Sequence, residues 1–263
     1  MMTRTTPIAA PRAWKRLAAG ALLLAACGAA SAMEPFTARY NAKFMGMEAT
    51  GTMKLEAAGN NRFNYSLDVA GMGARLAQKT TFERHGDGWR PLSSSDFQGG
   101  ESGLAAMLVK RKTIEATYDW NRNQARWTGD VDADEAGPVT LRQGDVDGLL
   151  LNLVLVQDVQ AGRPLTYRLV DEGRAREHTY EVQGKETVTV GGQSREATKV
   201  VRDDGRRRIT AWIVDGMPVP ARILQRRTGF GAVAGAVPGA VAGRGAGRAV
   251  GRASNRSMRA CMA

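Results

Sequence analysis

Alternating carboxylates form the first group of residues in this sequence that could do chemistry. Asp130, Asp132 and Asp134 have the spacing with which a calcium loop begins, because alternate carboxylates can converge on one ion. The sixth position of such a loop is Glu135 instead of the required glycine, and the twelfth is Leu141 instead of a bidentate glutamate. We therefore interpret the segment as a solvated acidic loop and predict no metal site.

The histidines and hydroxyl residues give no catalytic arrangement. His85 lies in a His-Gly-Asp-Gly sequence that predicts an exposed turn, and His178 lies on a predicted strand as a half-buried, hydrogen-bonded side chain. No serine occupies a nucleophile elbow, and no pair of carboxylates stands out as an acid and a base. The glycines near Gly243 follow no predicted strand, so a dinucleotide fingerprint is excluded. We expect no enzymatic activity, no catalytic residue and no cofactor.

The N-terminal segment predicts export from the cytoplasm. Residues 1–32 have a basic start, an apolar run and a small-residue ending, which is typical of a signal peptide cleaved after Ala32. This predicts a periplasmic protein. In the alternative, the Leu-Ala-Ala-Cys sequence ending at Cys27 is a lipobox, and lipidation of Cys27 makes the protein an outer-membrane lipoprotein. We expect contact with a membrane only through the signal peptide or this lipid anchor.

The distribution of charge and cysteine excludes two further classes of protein. Residues 1–32 and 227–263 contain ten basic residues and no acidic ones, so residues 33–226 contribute only +1 to the net charge of +11. A near-neutral core gives no electrostatic surface for nucleic acid. Cys27 and Cys261 lie outside that core, which excludes a disulfide framework. The Gly, Ala and Arg of residues 227–263 predict a disordered tail.

Alternation with a period of two dominates residues 33–226 and predicts about ten or eleven antiparallel strands. The pattern is clear over residues 36–44, where Ala38 and Tyr40 alternate with polar residues. Residues 93–106 contain serine and glycine without periodicity, so we predict a long loop at the rim of the sheet.

One segment, at about residues 145–160, has the period of a helix. Its leucines and valines recur at intervals of three and four and cover most of the circumference, so the helix must be buried. We expect Asp145 to cap the first turn, and Gly162 followed by Pro164 to end the helix. The helix is shorter than the roughly 20 apolar residues that cross a bilayer.

Many two-faced strands and one buried helix predict a mainly β fold. We expect a strongly curved antiparallel sheet, a half-barrel or open barrel, wrapped around that helix. The inner face of such a sheet could enclose an apolar cavity, although aromatic residues at strand spacing also form ordinary cores. The predicted lining residues are Tyr40, Phe44, Trp89, Trp120, Trp212, Leu150 and Leu153.

Two sequence patterns carry a family resemblance. One is the run ITAWIVDGMPVPARI at residues 209–223, and the other is Tyr40-x-Ala42 followed by Gly-Met-x-Ala-x-Gly ending at Gly51. Both patterns resemble the exported bacterial family called domain of unknown function 3108. The resemblance covers roughly residues 36–226 and implies a helix where we predict one. It ends after Arg226, where such proteins usually carry a further strand. A looser resemblance to carriers of bacterial lipoproteins implies a half-barrel with an inner helix.

These features predict a periplasmic protein that binds a lipid-like or amphiphilic component of the cell envelope. The first alternative is a structural or interaction protein of the envelope, with no small ligand. The second is a hydrolase of envelope polymers, which needs two carboxylates about 5–9.5 Å apart. A hollow interior would favour the binding protein, a packed interior the structural protein, and converging acids the hydrolase.

Overall fold

The computed structural model of the protein describes residues 33–44, 47–227, 230–233 and 237–239. The predicted signal peptide, with Ala32 and Cys27, lies outside the described residues, as does most of the predicted tail.

The first part of the chain is a long meander of strands. Its elements are β1 Phe36–Phe44, β2 Met47–Ala57, β3 Arg62–Gly71, β4 Ala74–His85, β5 Gly88–Gly100, α1 Gly103–Leu108, β6 Lys112–Asp119, β7 Gln124–Gly129, a 3-10 turn at Ala133–Glu135, and β8 Val139–Thr140. Strands β1 to β8 pair antiparallel in sequence order within one sheet.

The second part of the chain begins with the long helix and continues as hairpins. Its elements are α2 Leu150–Gln160, β9 Thr166–Asp171, β10 Arg174–Thr179, β11 Glu181–Val190, β12 Gln193–Asp203, β13 Arg207–Ile213, β14 Arg222–Arg227, β15 Phe230–Val233 and β16 Val237–Gly239. Strands β9 and β10 form a separate hairpin, β11 to β15 form a five-stranded sheet, and β16 pairs with β1.

This architecture confirms a mainly β, antiparallel fold with one buried helix. In the described residues the large sheet runs from β16 to β8 without pairing these two edges to each other, so it is open, as a half-barrel is. The strands exceed the predicted number, partly because β8, β15 and β16 are only two to four residues long. The loop predicted at residues 93–106 is wrong, because residues 93–100 form the second half of β5 and residues 103–106 belong to α1.

The interior of the large sheet follows the predicted alternation. Tyr40, Met53, Leu55 and Tyr65, from three neighbouring strands, are all buried. Burial of such side chains supplies most of the free energy that favours folding, at about 25 cal/mol per Å² of apolar surface.

Helix α2 is buried and contacts both β5 of the large sheet and the turn between β13 and β14. Its leucine and valine side chains at positions 150, 151, 153, 155 and 156 are at most 2% exposed. Trp89 of β5 donates a hydrogen bond to Gln157, and Gln160 donates to the carbonyls of Val214 and Met217 beyond β13. The helix ends at Gln160, and Gly162 adopts a φ of 64°, as the predicted stop requires. Within the described ranges, no helix is both long and apolar enough to traverse a bilayer.

Candidate functional site

The start of α2 is held by a buried aspartate. Asp147 Oδ1 accepts hydrogen bonds from the N–H groups of Leu149 and Leu150, at 2.9 and 2.8 Å, and from the Thr80 hydroxyl of β4 at 3.0 Å. Asp145 was predicted to cap the first turn of the helix, but it accepts hydrogen bonds from the Arg142 N–H and the Arg168 side chain instead. The helix therefore begins later than predicted, because the residue that satisfies its first N–H groups is Asp147.

Polar side chains line the inner face of the sheet beside Asp147. We call this set the polar row, and it consists of Gln78, Thr80, Ser94, Asp96 and Gln98. Thr80 lies directly opposite Ser94 in the β4–β5 pairing, and Gln78 lies opposite Asp96. Gln78 Nε2 donates to Asp96 Oδ1 at 2.6 Å, which joins the two strands through their side chains. The inner face of the sheet is therefore polar along this part of β4 and β5.

Three oxygens in this region accept no hydrogen bond from any described residue. They are Gln78 Oε1, Gln98 Oε1 and Asp147 Oδ2. A buried polar atom without a partner costs free energy, about 1–3 kcal/mol in proteins. Such atoms commonly mark a place where water or another molecule completes the hydrogen bonding.

Burial raises the pKa of Asp147 to about 6. The side chain is 3% exposed, and loss of solvent disfavours its charged form. The carboxyl of Asp96 raises the pKa further, while the hydrogen bonds from Leu150, Thr80 and Leu149 oppose the rise. Asp147 is therefore a group that changes its protonation near neutral pH.

These residues line one small pocket. Three aspartates and Thr80 are among the lining residues, which are Gln78, Lys79, Thr80, Ser94, Ser95, Asp96, Asp147, Gly148, Leu149 and Asp171. The pocket has room for about one water-sized group. Its lining can accept hydrogen bonds from a hydroxyl or an ammonium group. In the part of the chain that the structure describes, no three His, Cys, Asp or Glu residues are grouped to hold a metal ion.

The predicted tryptophan lining is distributed over three packing clusters. Trp89 packs edge-on against Phe63 and Phe82, with ring centroids 5.6 and 5.5 Å away. Trp120 packs against the cluster of β6 and β7 and donates to the Pro91 carbonyl. Trp212 lies with Val188 and Val190 in the second sheet and donates to Glu186, beneath the Arg222 guanidinium. The structure does not bring these three rings together.

The other predicted lining residues are part of the core. Tyr40 is buried and donates a hydrogen bond to the Pro220 carbonyl. Leu150 and Leu153 are buried on α2. Phe44 is the last residue of β1, and its side chain lies outside the described part of the structure. Tyr40, Leu150 and Leu153 are not among the residues that line the polar pocket.

The histidines and acidic loop occupy different environments. His85 is exposed in the turn before β5, as predicted. His178 is more deeply buried than predicted, and its Nδ1 has no hydrogen bond to any described residue. Burial, with the Arg202 charge, lowers the His178 pKa to about 4. In the acidic loop, Asp130 accepts a hydrogen bond from the Thr113 N–H, and Asp134 pairs with Arg174.

Sequence reasoning missed the polar row because the segment Ser93–Gly100 lacks apolar alternation. The alternation of inward-facing and outward-facing residues along β4 could have revealed it. Gln78 and Thr80 lie in the same alternation as the buried Leu76 and Phe82, so their side chains had to point inward.

Comparison with known proteins gives one family. A family model described as "Protein of unknown function (DUF3108)" matches residues 36–234. No curated protein and no solved structure matches the chain.

Proposed function

The chain belongs to the DUF3108 family of proteins of unknown function, and from the geometry of the polar pocket we propose that it binds an amphiphilic molecule without chemically changing it. The polar end of that molecule donates hydrogen bonds through a hydroxyl or ammonium group. The signal-like N-terminal segment supports a periplasmic location, where lipid-like envelope components would be the source of such molecules.

The Asp147 carboxylate carries this proposal. Its Oδ1 is held by three hydrogen bonds, and its Oδ2 is buried with no protein donor among the described residues. The three hydrogen bonds to Oδ1 keep the side chain in place beside the pocket that Asp147 lines, and Oδ2 is itself buried, so a donor would reach it through a small movement of the lining. A donor placed there would satisfy an atom that is costly to bury alone.

The surroundings favour an amphiphile over a purely polar ligand. Asp96 and Asp171 add carboxylates beside Asp147, which favours a cationic or hydroxylated end. Leu149 belongs to the pocket lining and leads into the buried leucines of α2, beginning with Leu150. A polar end in the pocket would therefore have one large apolar residue of the lining, Leu149, beside it.

Extraction of the purified protein tests the proposal. The full chain would be purified under mild conditions and extracted with organic solvent, and the extract analysed by mass spectrometry. We expect an amphiphile with a hydroxyl or ammonium group at its polar end. The variant Asp147→Asn keeps the Oδ1 acceptor for the helix but loses the second acceptor. It should retain about tenfold less of that molecule, because a hydrogen bond to a charged group is lost.

The matched control is Asp87→Asn, since Asp87 is exposed in the β4–β5 turn. It should retain as much ligand as the unaltered protein. An empty extract from the unaltered protein would contradict the proposal and favour the interaction protein instead. Equal retention by Asp147→Asn and the unaltered protein would place any ligand elsewhere.

A second candidate function is hydrolysis of an envelope polymer. It is favoured by a specific observation, since Asp147 has a pKa of about 6 and lies in one pocket with Asp96 and Asp171. A carboxyl group with a raised pKa can act as a general acid beside a second carboxylate. The pocket is too small to hold a sugar unit between two carboxylates, whereas the proposed binding needs it to take only a hydroxyl or ammonium group, with the rest of the ligand outside the pocket. If the protein released reducing ends from envelope polysaccharide and Asp147→Asn abolished this release, hydrolysis would be the better supported function.

A further inference from the structure

Four exposed apolar side chains lie at one end of the β4–β5 hairpin. Met72 is 68% exposed, Leu104 69%, Met107 84% and Leu108 70%. We call these four residues the apolar tip. Large apolar side chains that are clustered and exposed usually mark a surface that meets another molecule.

The fold holds the apolar tip in place. The turn that carries Met72 is joined to the segment before α1, because the Gly73 carbonyl accepts hydrogen bonds from the N–H groups of Glu101 and Ser102 at 2.6 and 3.1 Å. The N–H of Gly100 donates to the Val109 carbonyl at 3.1 Å, which closes the base of α1. A Cβ at position 73 would lie 2.3 Å from the Ser102 carbonyl oxygen, so this close contact requires glycine. The hydrogen bonds between these two segments therefore fix the apolar tip in its exposed position.

Basic residues follow the tip directly. We call Lys110, Arg111 and Lys112 the basic collar, and residues 102–112 contain no acid. The Arg111 guanidinium lies 5.2 Å from the centre of the Phe97 ring, which orients it. Among the neighbouring acids, Asp68 and Glu101 both pair with Arg75, and Asp130 accepts a hydrogen bond from the Thr113 N–H. Lys110, Arg111, Lys112 and Arg75 contribute +4 against −3 from these three acids. The collar therefore keeps a net positive charge beside the tip.

We propose that the apolar tip docks onto a lipid surface that carries anionic headgroups. An apolar side chain inserts at the boundary between headgroups and acyl chains, and neighbouring lysine and arginine side chains are attracted to the negative surface. The tip supplies the first element and the collar the second. This inference goes beyond the pocket and does not depend on a ligand being bound there.

A position-specific fluorescence measurement tests the docking. Both cysteines of the full chain, Cys27 and Cys261, are replaced by serine, and Met107→Cys is labelled with a dye whose emission shifts to shorter wavelength in apolar surroundings. The matched control is Asp87→Cys, at the opposite end of the β4–β5 hairpin. Each labelled protein is titrated with vesicles of phosphatidylcholine alone and with vesicles that also contain phosphatidylglycerol.

The dye at position 107 should shift with the anionic vesicles, and the dye at position 87 should not. Adding Lys110→Gln and Arg111→Gln should raise the lipid concentration for half of the shift by roughly thirtyfold, because each basic residue near an anionic surface favours binding. Glutamine keeps part of the aliphatic stem over Phe97, so α1 should remain folded.

Three results would overturn the proposal. The dye at position 107 could remain in water with all vesicles, which would leave a protein partner as the better explanation of the tip. Both positions could shift alike, which would assign binding to the chain ends. The shift could also be unaffected by the loss of Lys110 and Arg111.

Discussion

The two ends of helix α2 each have a buried aspartate, but only one of the two carboxylates is fully paired. Near the C-terminal end, Asp158 Oδ1 accepts a hydrogen bond from Arg163 at 2.6 Å, and its Oδ2 accepts one from the Tyr167 hydroxyl at 2.9 Å. At the N-terminal end, Asp147 Oδ1 has three donors, whereas Oδ2 has none among the described residues.

This difference separates a structural group from a candidate binding group. A buried carboxylate with both oxygens paired has its loss of hydration offset within the protein. An oxygen left unpaired makes the native state less stable than it could be, and such sites are often functional. The C-terminal end of α2 therefore anchors the β9 strand, while the N-terminal end is where we propose that another molecule binds.

The largest change in stability is expected when the paired aspartate is removed. Asp158→Ala should lower the free energy of unfolding by about 2–3 kcal/mol, because it leaves the buried Tyr167 hydroxyl without its acceptor and removes the partner of Arg163. Urea denaturation measures this change. Asp87→Ala, in an exposed turn, is the control and should change the value little. A cost for Asp158→Ala no greater than that of the control would remove the distinction between the two ends.

Replacing the partly unpaired aspartate should instead increase the stability of the protein. Asp147→Asn should raise the free energy of unfolding at pH 7 by about 1–2 kcal/mol, because the amide keeps the helix contacts and avoids a buried charge. The same denaturation experiment checks it. A loss of stability comparable to that of Asp158→Ala would mean that Asp147 is structural too.

The pH dependence sharpens this prediction. The Asp147 pKa is about 6 in the folded protein and near the ordinary value of 3.8 when unfolded. Between these values the folded state binds more protons, so this group contributes stability at low pH that is lost as the pH rises through about 6. The gain from Asp147→Asn should shrink as the pH falls from 7 to 4, and a gain that does not vary with pH would contradict the shift.

The smallest effect concerns the donor that holds Asp147. Thr80→Val removes one of the three hydrogen bonds to Oδ1 and should lower stability by about 0.5–1 kcal/mol. Because that hydrogen bond favours the charged carboxylate, its loss should also raise the Asp147 pKa above about 6. NMR titration of the carboxyl carbon measures the pKa, and an unchanged value would show that Thr80 is not a significant partner.

Residue patterns predicted the parts of the fold that follow apolar spacing. The alternation of β1 and the helical period of α2 both reflect burial, which acts on every inward-facing residue in turn. The final hairpin, whose residues carry the family resemblance, was predicted from the same strand pattern. The resemblance was taken to end at Arg226 and residues 227–263 to be a disordered tail, yet residues 230–233 and 237–239 form β15 and β16, and the family model extends to residue 234.

The same patterns failed where inward-facing residues are polar. Ser94, Asp96 and Gln98 face the interior of β5, so the segment had no apolar alternation and was taken for a loop. The choice of Asp147 over Asp145 as the helix-starting residue depends on Thr80 and Arg168, which are distant in sequence. The polar side chains that form the candidate site are therefore also the reason why the sequence pattern did not predict it.

The ionisation of Asp147 tests the central claim most directly. Its pKa would be measured by carbon NMR in protein freed of any extracted ligand, and again after the ligand is restored. We predict a pKa of about 6 in the free protein and a lower value once an ammonium or hydroxyl donor reaches Oδ2. A free-protein pKa near the ordinary 3.8, unchanged by the ligand, would show a hydrated carboxylate and contradict the account.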